Sequence, residues 1–335
     1  MNVQKNSTLD LLKLFASYMV VFIHVPFYGR LGPIMETCAR FAVPFFFLVS
    51  GFHSYEITCD KIKKRIRNIL TLLILSVVCC TAFKVFTLLS KGNMADVTSY
   101  LSNYLDLVVL AKLLMFNITI SSVHLWYLFA VLYVYVIFFF VTKLRISDKI
   151  IFIMSFCLLF LHILLGEGLS ILGIELPKPI VRNFLVMGIP FFGLGLFVKK
   201  YEHKFHMIPN YVIFVSIIIG IIDSILSRYF FGQNELYIGS LLVLFAVVCV
   251  FVKYSDIQYP LFLIALEGCS TYIYIFHIMI ADLINRIYAL LGIDIGSSIF
   301  FKNTHPILVC ICSTILAYFI VRIHKKAKQK QNLIV

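Results

Sequence analysis

Residues 8–28 read Thr8-Leu-Asp10-Leu-Leu-Lys13-Leu-Phe-Ala-Ser-Tyr-Met-Val-Val-Phe-Ile-His24-Val-Pro26-Phe-Tyr28. Such a run is long enough to cross a bilayer as a helix, which takes about 20 residues for about 30 Å of hydrocarbon. Yet it holds three ionisable groups, Asp10, Lys13 and His24, where charge is costly and marks function by default. Lys13 and His24 are eleven residues apart. At about 100° per residue that is three turns plus about 20°, so both lie on one helix face, about 16 Å apart along the axis. A one-sided pocket has no use for that separation; a site traversing the bilayer does. The stretch resembles a signal peptide only superficially. It contains Asp10 and Lys13 and no small-residue cleavage site follows, so it reads as a retained first helix.

The rest of the chain agrees. Of 335 residues, 61% are hydrophobic and only 13% charged, with a mean hydropathy of +0.98. Soluble domains average about 45–50% apolar and about 25% charged residues. Further long apolar runs predict an all-α, polytopic membrane bundle of about ten helices. They fall at 8–28, 39–57, 67–90, 122–142, 149–166, 182–198, 209–229, 236–253, 260–290 and 305–323. The ninth is too long for a straight crossing and must tilt, bend or extend outward. Segment 99–119 is apolar but carries Asp106 and Lys112, and reads as an interfacial helix or re-entrant piece. Residues 1–335 form one transmembrane domain with a basic tail at 324–335. No internal repeat is evident.

Net charge is +13, but its distribution points to topology, not to nucleic acid. Basic residues cluster between alternate spans: Lys61, Lys63, Lys64, Arg65 and Arg67; then Lys143, Arg145 and Lys149; then Lys199, Lys200 and Lys204; then Lys253; then Lys325, Lys326, Lys328 and Lys330. The opposite loops hold Glu36, Asp96, Glu167, Glu175, Glu235 and Asp294. The positive-inside rule then puts both termini in the cytoplasm. The nine cysteines lie mostly inside apolar runs with no paired metal-type spacing, so they read as small hydrophobes; neither a disulfide framework nor a metal is implied.

Each polar motif admits a bland reading beside a functional one. Lys13 is either a site residue or a snorkelling anchor paired with Asp10. His24 is either a proton-transfer group or a helix-end histidine, with Pro26 ending the helix. The second helix reads Arg40-Phe-Ala-Val-Pro44-Phe-Phe-Phe47-Leu-Val-Ser50-Gly51-Phe52. Ser50 and Gly51 let the backbone approach either a neighbouring helix or a ligand. His124-Leu-Trp126-Tyr127 is either a site element or part of the interfacial aromatic belt. Arg182-Asn183 precedes a helix containing Gly188, Pro190, Gly193 and Gly195. Tyr272 and His277 sit in Thr271-Tyr272-Ile-Tyr274-Ile-Phe-His277, and His277 is deep enough in a span for a functional or buried hydrogen-bonded role.

Taken in order, these elements resemble the acyltransferase family 3 membrane proteins. The motifs that carry the likeness are Asp10, Lys13 and His24; Ser50, Gly51 and Phe52; Arg65 and Arg67; His124 to Tyr127; Arg182 and Asn183; and Thr271, Tyr272 and His277. It runs over essentially the whole chain. Lys13 stands where Arg is commoner, and lacks the bidentate fork of Arg.

The resemblance implies an O-acyltransferase of the cytoplasmic membrane. Its donor would be acetyl-CoA or another acyl-CoA, and its acceptor a hydroxyl of an envelope glycan or lipid-linked sugar. His24 would be the general base, with Asp10 and Lys13 in the catalytic group. Lys13, Ser50, Gly51, Phe52, Arg65 and Arg67 would receive the CoA ester. Arg40, His124, Trp126, Tyr127, Arg182, Asn183, Tyr272 and His277 complete the pocket candidates. The competing reading is a transporter of serine or another small polar solute, because Arg40 to Phe47 also resembles the membrane domain of vancomycin-resistance serine racemases. The sequence does not specify an oligomeric state.

Overall fold

The computed structural model describes residues 6–92, 94–292 and 298–334, with backbone alone at 328 and 330–334. Asp294 and the side chains of Lys328 and Lys330 lie outside the described set. The described residues are helical, with no strand among them.

Nine described helices are long and apolar enough to cross a membrane. They are α1 (Ser7–His24), α2 (Leu31–Phe52), α3 (Cys59–Leu89), Val123–Lys143, Asp148–Ile171, Lys178–Lys200, Asn210–Phe231, Cys269–Leu290 and Ile299–Ala327. The expected span at 236–253 is a shorter apolar helix, Ile238–Lys253. Residues 99–119 belong to a pair, Met94–Ser102 and Leu107–Phe116, bent by 58° at its break, as a broken span or re-entrant piece is. In chain order we label this pair α4 and α5, and the remaining helices α6 (Val123–Lys143), α7 (Asp148–Ile171), α8 (Lys178–Lys200), α9 (Asn210–Phe231), α10 (Ile238–Lys253), α11 (Cys269–Leu290) and α12 (Ile299–Ala327). Large apolar side chains cover the outward faces, among them Ile74, Val78 and Phe86 on α3 and Leu114 and Met115 on α5. This is the surface a bilayer solvates.

Several boundaries differ from the sequence reading, each for a local reason. Helix α2 begins eight residues before the expected 39, so Glu36 lies inside a helix instead of in a loop. Pro44 has no N–H to give the Arg40 carbonyl, and the helix tightens to a 3-10 turn at Ala39–Phe41 before resuming to Phe52. Glu167, also expected in a loop, is buried in a π-helical turn at Leu164–Gly168. The long run at 260–290 is broken. Gly268 takes φ +84, a left-handed conformation that favours glycine, and α11 starts only at Cys269.

The helices gather into two units, Met1–Val43 with His203–Tyr229 and Ile238–Val335, and Pro44–Glu202 with Phe230–Tyr237. In the first unit, α1, α11 and α12 share a core of Leu14, Val21, Ile273, Val309 and Ala317. Helices α9 and α10 meet backbone to backbone: a Cβ on Gly239 would lie 2.2 Å from the Gly220 carbonyl oxygen. Asp223, an acid in mid-helix, accepts the Gly239 N–H at 2.7 Å. It thereby caps the N-terminus of α10, where exposed N–H groups favour negative charge. In the second unit, α2 and α8 cross as closely. A Cβ on Gly51 would stand 1.9 Å from the Phe192 carbonyl oxygen, and one on Gly195 1.9 Å from that of Leu48.

Candidate active site

The first unit holds the charged residues of α1. Asn6 caps the helix by accepting the Leu9 N–H at 2.9 Å. The first two turns thus form and bring Asp10 and Lys13 together. Their side chains pair at 3.0 Å, each about a quarter exposed. Lys13 therefore carries a partner, as the snorkelling-anchor reading also expected.

At the other end of α1, the His24 ring lies 5.3 Å from that of His277 on α11, tilted by 42°. His277 is fully buried. Its Nδ1 sits 2.7 Å from the Tyr274 carbonyl oxygen and 3.2 Å from that of Ile273. A carbonyl only accepts, so Nδ1 carries the proton and Nε2 is the accepting nitrogen. Tyr272 is half-buried and packs on the core beside them. One turn beyond His277, the Ala281 backbone hydrogen-bonds His305 of α12. The sequence reading did not single out His305, because no motif marks it.

Arg40 is buried in a charge network of the same unit. Glu36 accepts from Arg40 at 2.6 Å and pairs with Arg228 at 3.0 Å, while Arg228 also donates to the Thr37 hydroxyl at 3.2 Å. Two guanidiniums share one carboxylate between helix segments.

The second unit contains the remaining candidates. Ser50 donates to the Phe46 carbonyl at 2.9 Å and meets the Tyr127 hydroxyl, while Gly51 serves the α2–α8 crossing. Phe52 is buried, with Lys199 4.9 Å above its ring. Arg65 turns inward: it donates to the Ser54 hydroxyl at 2.6 Å, the Tyr135 hydroxyl at 3.1 Å and the His53 carbonyl at 2.7 Å. Those bonds fasten the C-terminal end of α2 to α3 and α6. Arg67 and its neighbours Lys61, Lys63 and Lys64 are exposed.

His124 is fully buried, its Nδ1 2.8 Å from the Ser122 hydroxyl. Trp126 is buried beneath Arg182, whose guanidinium lies 5.5 Å above the indole. Asn183 is a helix cap: Oδ1 accepts the Leu185 and Val186 N–H groups, and Nδ2 donates to the Pro179 and Ile180 carbonyls. A cavity of about 210 Å³ nearby is lined by Ser170, Glu175, Lys178, Asn234 and Glu235, again without a sequence signal. Among the described residues no group of three or more His, Cys, Asp or Glu side chains could hold a metal ion.

A polytopic helical membrane protein with paired histidines in its spans is thereby defined. Residues 6–322 match the family model for the acyltransferase domain of acyltransferase family 3, and the chain belongs to that family, a membrane acyltransferase in general terms. No curated protein and no solved structure matches it.

Proposed function

We propose that the protein is an O-acyltransferase that takes an acyl group, acetyl in the simplest case, from cytoplasmic acyl-CoA. It delivers the group to a hydroxyl of an envelope glycan or lipid-linked sugar on the opposite side of the cell membrane. The observation that carries this reading is the His24–His277 pair inside the spans, 5.3 Å between rings. His24, half-buried, takes the proton of the acceptor hydroxyl. The oxygen attacks the thioester carbonyl, the C–S bond breaks, and the departing thiolate receives the proton from the His24 imidazolium. General base catalysis of this kind contributes about 10²–10⁴-fold. His277, with Nδ1 pinned to backbone carbonyls, is a positioning residue that orients His24. Lys13, paired with Asp10, stands about 16 Å along α1 from His24, toward the end where the donor enters. Arg67 and the exposed lysines of α3 offer the charge that CoA phosphates require.

The test uses purified protein and labelled acetyl-CoA without acceptor. Slow thioester hydrolysis is expected, because a base that activates a hydroxyl also activates water, and His24→Ala should abolish it in a folded protein. Absence of acetyl-CoA binding at millimolar concentration, with serine uptake into proteoliposomes, would overturn the reading in favour of transport.

A further inference from the structure

A second cavity, of about 110 Å³, lies wholly within the second unit. Its walls are apolar, from Phe116, Ile118 and Val123, with Trp126 among the lining residues. Three polar residues line it: Thr119, whose hydroxyl donates to the Ser122 carbonyl at 2.5 Å, and two further donors. One is Arg182, half-buried over Trp126 and in no ion pair with a carboxylate among the described residues. The other is Asn117.

Asn117 ends α5 in the left-handed region at φ +58 and is fully buried. Its Oδ1 accepts the Phe184 N–H at 3.0 Å, which fixes the amide orientation and leaves Nδ2 for another acceptor. That nitrogen is buried and has no hydrogen-bond partner among the described residues. A buried donor left unsatisfied costs about 1–3 kcal/mol, so an acceptor supplied by a ligand would recover it. Because a guanidinium and an amide-bearing residue line one cavity with no carboxylate among the lining residues, the ligand group is an anion with several acceptor oxygens.

The surroundings identify where such an anion comes from. Leu107, Val108, Leu114 and Met115 of α5 and Val123 at the cavity wall are strongly exposed apolar side chains, which in a membrane protein face acyl chains. An anion that reaches this cavity with its tail along α5 is a lipid headgroup.

We propose that Arg182 and Asn117 form a binding site for a phosphate group, carried by a membrane lipid. The inference is independent of the acyl-transfer chemistry at His24. Thermal unfolding of the purified full chain in detergent would be followed with two probes, short-chain phosphatidic acid and inorganic phosphate. Saturable stabilisation by phosphatidic acid is expected, with inorganic phosphate at least tenfold weaker; equal potency of the two would assign the site to a soluble phosphate and overturn the lipid source. Arg182→Gln should weaken binding at least tenfold, and Arg182→Lys by less. Asn117→Asp keeps the Phe184 contact but turns the donor into an anion, and should abolish the effect. Should Asn117→Asp fail to fold, Arg182→Gln decides alone, since that side chain lies over Trp126 without fastening a helix. No stabilisation by either probe, or stabilisation that survives Arg182→Gln, would overturn the site.

Discussion

The imidazoles of His24 on α1 and His277 on α11 lie 5.3 Å apart, and His277 is held through Nδ1 by the Tyr274 carbonyl at 2.7 Å. One ring is half-buried and the other wholly buried. A ring anchored to backbone on one nitrogen presents a fixed face to its neighbour.

That arrangement predicts different outcomes at the two positions. His24→Ala should cost about 10²–10⁴-fold in transfer rate. His277→Asn retains an N–H for the Tyr274 carbonyl and lacks the second ring nitrogen. It should lower kcat with KM for acyl-CoA unchanged, and should shift the pH–rate profile. A profile that superimposes on that of the unmodified protein would remove the positioning role.

Arg65 and Arg67 belong to one basic cluster in sequence and do different work in the fold. Arg65→Glu removes donors from Ser54, Tyr135 and the His53 carbonyl, so it should lower the melting temperature. Arg67 is exposed, and Arg67→Glu should leave melting unchanged while weakening acyl-CoA binding. That weakening should shrink as salt rises, because exposed charges are screened over about 8–10 Å at physiological ionic strength. Calorimetric melting and a binding isotherm at two salt concentrations separate the effects.

The α2–α8 crossing has no room for a methyl group. With the Phe192 carbonyl oxygen at 1.9 Å from the required Cβ, Gly51→Ala forces the helices apart and should destabilise by about 1–3 kcal/mol. Gly166 meets nothing within 4 Å, so Gly166→Ala should be neutral. Thermal unfolding in detergent compares the two.

Glu36 balances two guanidiniums. Glu36→Gln leaves Arg40 and Arg228 together without their shared carboxylate, in surroundings where Arg40 is only 4% exposed. Breaking a buried pair typically costs about 3–5 kcal/mol, and a loss of that order is expected in unfolding experiments. A variant as stable as the parent would show that the network carries no net energy.

Topology is tested by labelling. With the native cysteines replaced, Lys63→Cys should react with a membrane-impermeant maleimide only from the cytoplasmic side, and Glu175→Cys only from the other. The charge alternation of the loops predicts this. Labelling of both from one side would refute the arrangement.

The sequence by itself determined that this is a helical membrane protein and to which family it belongs. Transfer of a helix into lipid is governed by local composition, and runs such as 8–28 or 209–229 declare themselves residue by residue. The interior limits were harder to read. Helix α2 starts early because Glu36 finds Arg40 and Arg228, and α10 is short because Asp223, from a different helix, caps it. What only the tertiary structure decided is which neighbours each polar motif meets. Arg65, Asn183 and Arg40 have the same look of site residues as His24 in the sequence; in the fold Arg65 and Asn183 hydrogen-bond at helix ends and Arg40 pairs with a carboxylate. His277 meets His24, and Asn117 and Arg182 line one cavity. These outcomes depend on how each helix is rotated against neighbours far away in the chain, and hydropathy and spacing carry no information about that rotation.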